Sequence, residues 1–465
     1  MNHLILPVLL IASNITIFAQ APDTLWTRTF GDPDTDEVGN SVQQTQDGGY
    51  IIIGTAVNSE NSVILIKTNG QGDEEWTKKL FNIGSTNGNS GQQTADGGYI
   101  ITGISFFGGD NVWLVKVDSN GLEEWNKTFG GSDFDEGKSV QQTSDGGYII
   151  TGFTSSFGAG ESDVWLIKTD ANGTEVWNKT FGTSESEGGT SVKQTSDGGY
   201  IISGSGFGAA GESGLLIKTD ANGNEEWSKR FEETGMFFHS AQEASDGGYI
   251  ISGESNLGPL LLKTDENGIE VWNTRFTDFG DGSINSVRQL PDGGYILTGL
   301  RTSTLGGLLF IKTDALGNEE WNTIYGMGML ATGNSVQQTS DGGHIIAGHI
   351  TETADKDVWL IKLASTAVGI EEELDFLPEK YSLSQNYPNP FNPVTTIKYS
   401  LPQSGEVTLL IYNLIGEEVA RLVNGHQSAG EYNAEWNASK VSSGIYFYRL
   451  KAGDFVLTRK MVLLK

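Results

Sequence analysis

Ser139 to Gly182 reads SVQQTSDGGYIITGFTSSFGAGESDVWLIKTDANGTEVWNKTFG. The stretch holds four strand-like runs, SVQQT, GYIITGF, DVWLIKTD and EVWNKTFG, rich in β-branched and aromatic residues. TSDGG joins the first two and DANGT the last two; each contains glycine, which admits the positive φ of a tight hairpin turn. These features predict a four-stranded antiparallel meander.

The meander is one of seven. Asp-Gly-Gly followed by an aromatic residue or His begins at Asp47, Asp96, Asp145, Asp197, Asp246, Asp292 and Asp341, at spacings of 49, 49, 52, 49, 46 and 49 residues. A tryptophan keeps step at Trp26, Trp76, Trp125, Trp177, Trp227, Trp272 and Trp321. Four strands repeated at this period predict the blades of a β-propeller. LWTRTF (Leu25–Phe30) precedes the first unit as a fourth strand without a blade, and VWLIKL (Val358–Leu363) ends the last as a third strand without a fourth. The N-terminal strand is therefore expected to complete the seventh blade, closing the ring and removing its sheet edges. A solenoid would instead need capping repeats at its ends, and none is visible. The fold expected for residues 22–366 is all-β, a seven-bladed propeller of four-stranded blades.

The tryptophans read as packing between blades, each burial being worth up to about 4–6 kcal/mol as an upper bound. The spacing Asp170–Gly173–Trp177 resembles the tryptophan-docking motif of quinoprotein propellers, one residue shorter, and implies shared packing without a quinone. Thr143, Asp145 and Gly147 partly match the Asp-box of sialidase-type propellers, but Ile150 stands where the closing aromatic belongs and arginines are scarce. Asp170, Asn172, Gly173 and Glu175 look like a fragment of a calcium loop, yet the same residues serve a hairpin turn, which is the preferred reading.

Strand order places the first-to-second and third-to-fourth turns on one face, where they are short and nearly identical between blades. The second-to-third and fourth-to-first loops share the other face and differ from blade to blade, as binding loops of repeat proteins do. This varied face is acidic in Asp32, Asp34, Asp36, Glu37, Asp133, Asp135, Glu136, Glu185, Glu187, Asp278 and Asp281. It also carries Phe106, Phe107, Phe134, Phe157, Phe207, Phe237, Phe238 and Phe279. Rings beside carboxylates suit a glycan, with or without calcium, or a protein partner. The candidate binding residues are Phe106, Phe107, Asp133, Asp135, Phe157, Phe207, Phe237 and Phe238.

No catalytic centre stands out. Downstream of the leader the histidines are His239, His344, His349 and His426, without metal-ligand spacing, and no nucleophile elbow or phosphate-cradling loop appears. Paired carboxylates alone suffice for glycoside hydrolysis, so a glycan-active enzyme on the varied face is the alternative to a binding protein, and a structural surface protein is the third reading. The near identity of the repeats argues against an enzyme.

The chain has 465 residues, no cysteine, 63 glycines and a formal net charge of −30. Disulfides, a thiol nucleophile and cysteine-ligated zinc are excluded. Residues 381–465 carry eight basic and six acidic residues, so the acidity lies wholly upstream and disfavours nucleic acid and anionic membrane surfaces. Leu4–Ala19 is apolar and Ala19-Gln20-Ala21 has the small-x-small form of a signal-peptidase site, so residues 1–21 are expected to be a signal peptide. Asn14 and Thr16 interrupt the stretch, which makes a stable membrane span a poorer reading.

After an acidic linker, residues 367–380, comes YSLSQNYPNPFNPVTTIKYSLP from Tyr381. Asn386-Tyr387-Pro388-Asn389-Pro390-Phe391-Asn392-Pro393, the run VTLLIYNLIG (Val407–Gly416), Ser443-Gly444-Ile445-Tyr446 and the basic terminal run Arg459–Lys465 follow in order. Residues 381–465 closely resemble the type IX sorting domain of Bacteroidota and related phyla. Alternating apolar residues such as Val407/Leu409/Ile411 independently predict about seven short strands, an Ig-like sandwich. The resemblance implies passage through the periplasm, recognition by the outer-membrane translocon and a secreted or surface-bound product. The residues expected to carry sorting are Tyr387, Pro388, Asn389, Pro390, Phe391, Asn392, Pro393, Gly444, Tyr446 and Lys460, with Ile445-Tyr446 and the terminal strand read by the translocon.

Overall fold

A computed structural model describes residues 21–81, 84–106, 109–208, 211–233, 235–302, 306–351, 355–365, 380–427, 430–453 and 455–464. Leader residues 1–20 and nearly all of the expected linker lie outside the described residues. Contacts divide the chain into two compact units, separating between residues 367 and 368.

The first unit holds seven four-stranded antiparallel sheets, one per repeat. The third is typical, with strands Asp135–Gln142, Tyr148–Thr154, Asp163–Thr169 and Glu175–Phe181 in that order. The seventh is assembled from both ends of the propeller: Leu330–Gln338, His344–Thr351 and Lys356–Leu363 are joined by Thr24–Phe30, which pairs Trp26 with Lys362 and Phe30 with Val358. The ring closes through its first strand, as the repeat boundaries predict. The middle strands of each blade are buried on both faces, which is why YII and VWLI are apolar without a break.

Polar residues of the first strand tie each blade to the next. Every first strand has a register shift against the second, at Gly39/Ser41, Gly137/Ser139 and the equivalent positions. Such a bulge re-aims the extra residue. Here that residue is Asn40, Asn89, Lys138, Thr190, His239, Asn285 or Asn334. The Asn40 amide donates to the Gly88 carbonyl of the following blade at 2.7 Å, Asn89 to Gly137 at 2.8 Å, Asn285 to Gly333 at 3.0 Å and, across the seam, Asn334 to Gly39 at 3.0 Å. The next residue is serine in all seven repeats; Ser139 Oγ accepts from the Val192 backbone N–H and Ser335 Oγ from that of Val42, both at 3.3 Å. Glutamines of SVQQT add a third contact, with Gln44 Oε1 accepting from the Ser340 N–H at 2.7 Å. The repetition of SVQQT thus has a direct cause: its serine and glutamines meet the neighbouring blade, while its threonine holds the aspartate of its own turn, as Thr143 holds Asp145.

The tryptophans hold the blades at larger radius. Trp125 meets Tyr148 of the next blade with ring centroids 5.9 Å apart and planes tilted by 55°, and Trp26, Trp76, Trp177, Trp227 and Trp272 each meet the equivalent tyrosine at 5.7–6.1 Å. The third-to-fourth turn of the neighbouring blade presses on the same indole: a Cβ added at Gly173, where φ is +74°, would lie 2.5 Å from Trp125 Cζ3. Glycine is required there for both conformation and space.

A buried lysine near the end of every third strand is a further sevenfold element. Lys168 is 5% exposed and its ammonium lies 2.9 Å from Asp145, the aspartate of the Asp-Gly-Gly turn. Lys67, Lys116, Lys218, Lys263, Lys312 and Lys362 pair with Asp47, Asp96, Asp197, Asp246, Asp292 and Asp341 in the same way. Partial burial pushes the Asp145 carboxyl up, but the Thr143 hydroxyl and Lys168 outweigh it and hold the group at about 2.

The second unit is a β-sandwich. One sheet orders Ser382–Leu383, Val394–Leu401 and Gly430–Asn437; the other orders Glu418–Gln427, Gly405–Tyr412, Gly444–Ala452 and Phe455–Leu463. Leu409, Ile411, Trp436, Tyr448 and Met461 fill the space between them.

Candidate functional site

The varied face is built on loops held from below by carboxylates. Asp135, at the start of a first strand, is fully buried; its Oδ2 accepts from the Gly131 N–H at 2.8 Å and the Ser156 hydroxyl at 2.7 Å, tying two loops together. Glu187 holds the equivalent place in the next blade, is 2% exposed and accepts from the Thr183 N–H at 2.9 Å. It also receives Arg230 at 2.6 Å, and that guanidinium reaches the Phe207 carbonyl at 2.9 Å. In the first blade Glu37 is likewise buried and meets Lys79 at 3.5 Å.

This geometry corrects part of the site expected from sequence. Asp135 is an internal loop anchor, because both of its oxygens are consumed by loop donors. Phe238 is fully buried, its ring 5.3 Å from that of Phe231, since the bulge turns it under the loop and toward the core. Phe279 is buried too. Phe107 lies outside the described residues. Asp133 is exposed, as are Phe106 (39%), Phe157 (47%) and Phe207 (47%), and Phe237 is half-buried.

Of these, Phe207 and Phe237 come together. With Phe153, Glu187 and Glu212 they line a groove of about 190 Å³ across the third, fourth and fifth blades. Phe153 continues the apolar wall outward, stacked on Phe134 at 5.5 Å and 18°. Phe106 stands on the second blade and Phe157 packs against Trp165, and neither lines the groove. Phe153, Glu212 and Arg230 were not singled out from sequence. The signal for Phe153 was present, since its place after the repeated Gly is Thr55, Ile104, Ser205, Glu254, Leu300 or His349 in the other blades.

No three histidine, aspartate or glutamate side chains converge as a metal site among the described residues. The calcium-like fragment at Asp170 is a turn: its Oδ1 accepts from the N–H groups of Asn172 at 2.9 Å and Thr174 at 2.8 Å. His344 is fully buried and His349 half-buried, and burial brings both imidazoles down to about 4.

In the sandwich, the proline-rich motif clamps the last strand. Phe391 donates to the Val462 carbonyl and accepts from the Leu464 N–H, both at 3.0 Å, while the Asn389 side chain accepts from the Val462 N–H at 2.9 Å. Phe391 is 2% exposed and Tyr446 7%, with Trp436 between them at 5.5 and 5.3 Å. Both rings belong to the core of the sandwich. Tyr387 is 81% exposed; Pro388, Asn389, Pro390, Asn392 and Lys460 are also exposed, and Pro393 and Gly444 are half-buried. No helix among the described residues is long and apolar enough to cross a membrane.

Residues 385–464 match the family described as the secretion system C-terminal sorting domain. No curated protein matches the chain. Among solved structures it is similar to PorZ, described as an essential bacterial surface component of the type-IX secretion system of Porphyromonas gingivalis, at 12% identity and a TM-score of 0.44, covering 90% of this chain and 58% of that one. The chain thus spans less than two thirds of PorZ. It is also similar to the Pan2 WD40 domain of Neurospora crassa, at 12% identity, TM-score 0.46 and coverages of 73% and 100%. Sqt1 from Chaetomium thermophilum is similar at 13% identity, TM-score 0.44 and coverages of 71% and 82%. Residues 385–464 thus form a secretion-system C-terminal sorting domain, which addresses the protein for secretion or the cell surface.

Proposed function

We propose that this is a secreted binding protein whose propeller takes a glycan or protein ligand on its varied face, after a signal peptide (residues 1–21) and the sorting domain have carried it out of the cell. The observation that carries the reading is the groove lined by Phe153, Phe207 and Phe237. Exposed aromatic rings offer large contact area at small entropic cost, to the apolar face of a sugar or to a partner's side chains. The buried carboxylates support binding over hydrolysis. Asp135 and Glu187 are spent on holding loops in place, which lowers the ordering cost of recognition.

The test is a glycan-array and surface-capture assay on the purified chain, run with calcium and again with chelator. The Phe207→Ala and Phe237→Ala variants are expected to lose a bound ligand at unchanged melting temperature. Loss with chelator would place a cation among the acidic loops. Binding that survives both substitutions would sink the assignment to this groove.

A further inference from the structure

The bulged residues and their neighbours enclose a polar cavity of about 220 Å³ on the propeller axis. Four residues before the Asp-Gly-Gly aspartate stands glutamine in five blades, Gln43, Gln92, Gln141, Gln242 and Gln337, of which Gln43, Gln92 and Gln337 line the cavity. These glutamines serve the ring, as Gln43 Oε1 accepts from the Gln93 N–H and Gln141 Oε1 from the Gln194 N–H, both at 2.7 Å. The fourth and sixth blades instead place Lys193 and Arg288 in the cavity wall.

Neither substitution is repaid by the protein itself. Lys193 has no hydrogen bond or ion pair among the described residues, and Arg288 donates only to the adjacent Val287 carbonyl at 2.8 Å. The seven fully buried lysines of the third strands are each met by a carboxylate, as Lys168 is by Asp145, whereas half-buried Lys193 is not. The other cation of the cavity wall, Lys138, is neutralised by Glu136 at 2.7 Å. Enclosure, and after it the charge of Arg288, draws the Lys193 ammonium down to about 7. Between the two cations the fifth blade contributes His239, whose Nε2 is buried without a hydrogen-bond partner and stands 3.9 Å from the Glu254 carboxylate. Ser90, Ser139, Ser286 and Ser335 accept backbone N–H groups through Oγ and so keep a hydroxyl proton to donate inward, whereas Ser41 gives its proton to the Gly91 carbonyl.

We propose that the axial cavity binds an oxyanion of up to monosaccharide size, a carboxylate or phosphate held between Lys193 and Arg288 with ring serines on its hydroxyl groups. Two unpaired cations in one confined wall repel each other until an anion lies between them, and charge-assisted hydrogen bonds are the strong ones in such a setting. The site is separate from the loop groove and does not depend on the reading of that face.

The experiment is calorimetric titration of the full chain with glucuronate, glucose 6-phosphate and inorganic phosphate, with glucose as the neutral control. Saturable binding of at least one anion is expected, with none for glucose. Lys193→Gln and Arg288→Gln should each weaken it about tenfold or more. Glutamine is the residue of the other five blades at this place, so these variants keep the ring, and an unchanged melting temperature without ligand verifies it. Absence of saturable binding for all three anions, or affinity unchanged in both variants, overturns the proposal.

Discussion

Lys168 reaches Asp145 at 2.9 Å and has no second carboxylate among the described residues, whereas Lys67, in the same place two blades earlier, holds both Asp47 at 2.9 Å and Glu75 at 2.8 Å. The difference lies in the fourth strand, where Val176 replaces the glutamate. Removing one partner of a buried pair is costly when it leaves a charge uncompensated. Asp145→Asn is therefore expected to destabilise the propeller by about 2–3 kcal/mol, against about 1 kcal/mol or less for Asp47→Asn. Thermal or denaturant unfolding of the two variants side by side checks this, and equal losses would mean that Glu75 does not share the charge.

His344 occupies the place of the blade tyrosine, fully buried, with neither ring nitrogen hydrogen-bonded among the described residues. Burial, then Lys362 and Lys312, bring its imidazole from 6.5 to about 4. A histidine with a folded value below its unfolded one binds protons preferentially in the unfolded chain. It therefore costs nothing above pH 6.5 and removes stability as pH falls from there to about 4, by on the order of 3 kcal/mol. His344→Tyr, which restores the residue of the other blades, should flatten the melting temperature between pH 7.5 and pH 4.5. A variant that keeps the wild-type slope would show that other groups set it.

Gly173 and Gly146 both have positive φ, +74° and +85°, but only Gly173 abuts a tryptophan, and nothing lies within 4 Å of a Cβ at Gly146. Gly146→Ala should cost only the backbone term, about 1 kcal/mol. Gly173→Ala must also push Trp125 from its dock and should cost about 2–4 kcal/mol. Unfolding midpoints compare them, and tryptophan fluorescence of the Gly173 variant reports the displaced indole.

In the sorting domain, Phe391 and Tyr387 separate stability from recognition. Phe391→Ala empties a core site and should destabilise the sandwich by about 3–5 kcal/mol, reducing export with it. Tyr387, 81% exposed, should be replaceable by Ala with no change in melting temperature. A fall in secreted product for that variant, measured against cell-retained protein, would identify a surface the machinery reads. Normal secretion would leave Tyr387 without such a part.

The repeat, its sevenfold count and the closing strand were legible because each leaves a periodic trace at fixed spacing. What escaped notice depends on direction. Phe237 and Phe238 are neighbours in sequence, yet the register shift beside them leaves one half-buried at the groove and the other in the core. Asp135 and Asp133 differ as sharply, one consumed by its own loops and the other open to solvent. Composition marks a face as acidic but does not say which carboxylates are already occupied. The lysine of each third strand was in plain view in DVWLIKTD. Its apolar surroundings were the clue that it had to find a carboxylate.

Thr24 pairs with Leu363, so strands whose paired residues lie 339 positions apart in sequence meet in one blade. Each doubling of a closed loop adds only about 0.6 kcal/mol, so the seam is inexpensive at equilibrium. Its cost is kinetic. Contacts this distant in sequence form late, and a chain emerging from its amino terminus must leave the strand Thr24–Phe30 unpaired until Lys356–Leu363 arrives. Through that interval six blades stand as an open arc with raw edges, accessible to proteases and chaperones alike. Closure of the propeller thus waits on Leu363, and until that residue is made the first strand is a free sheet edge.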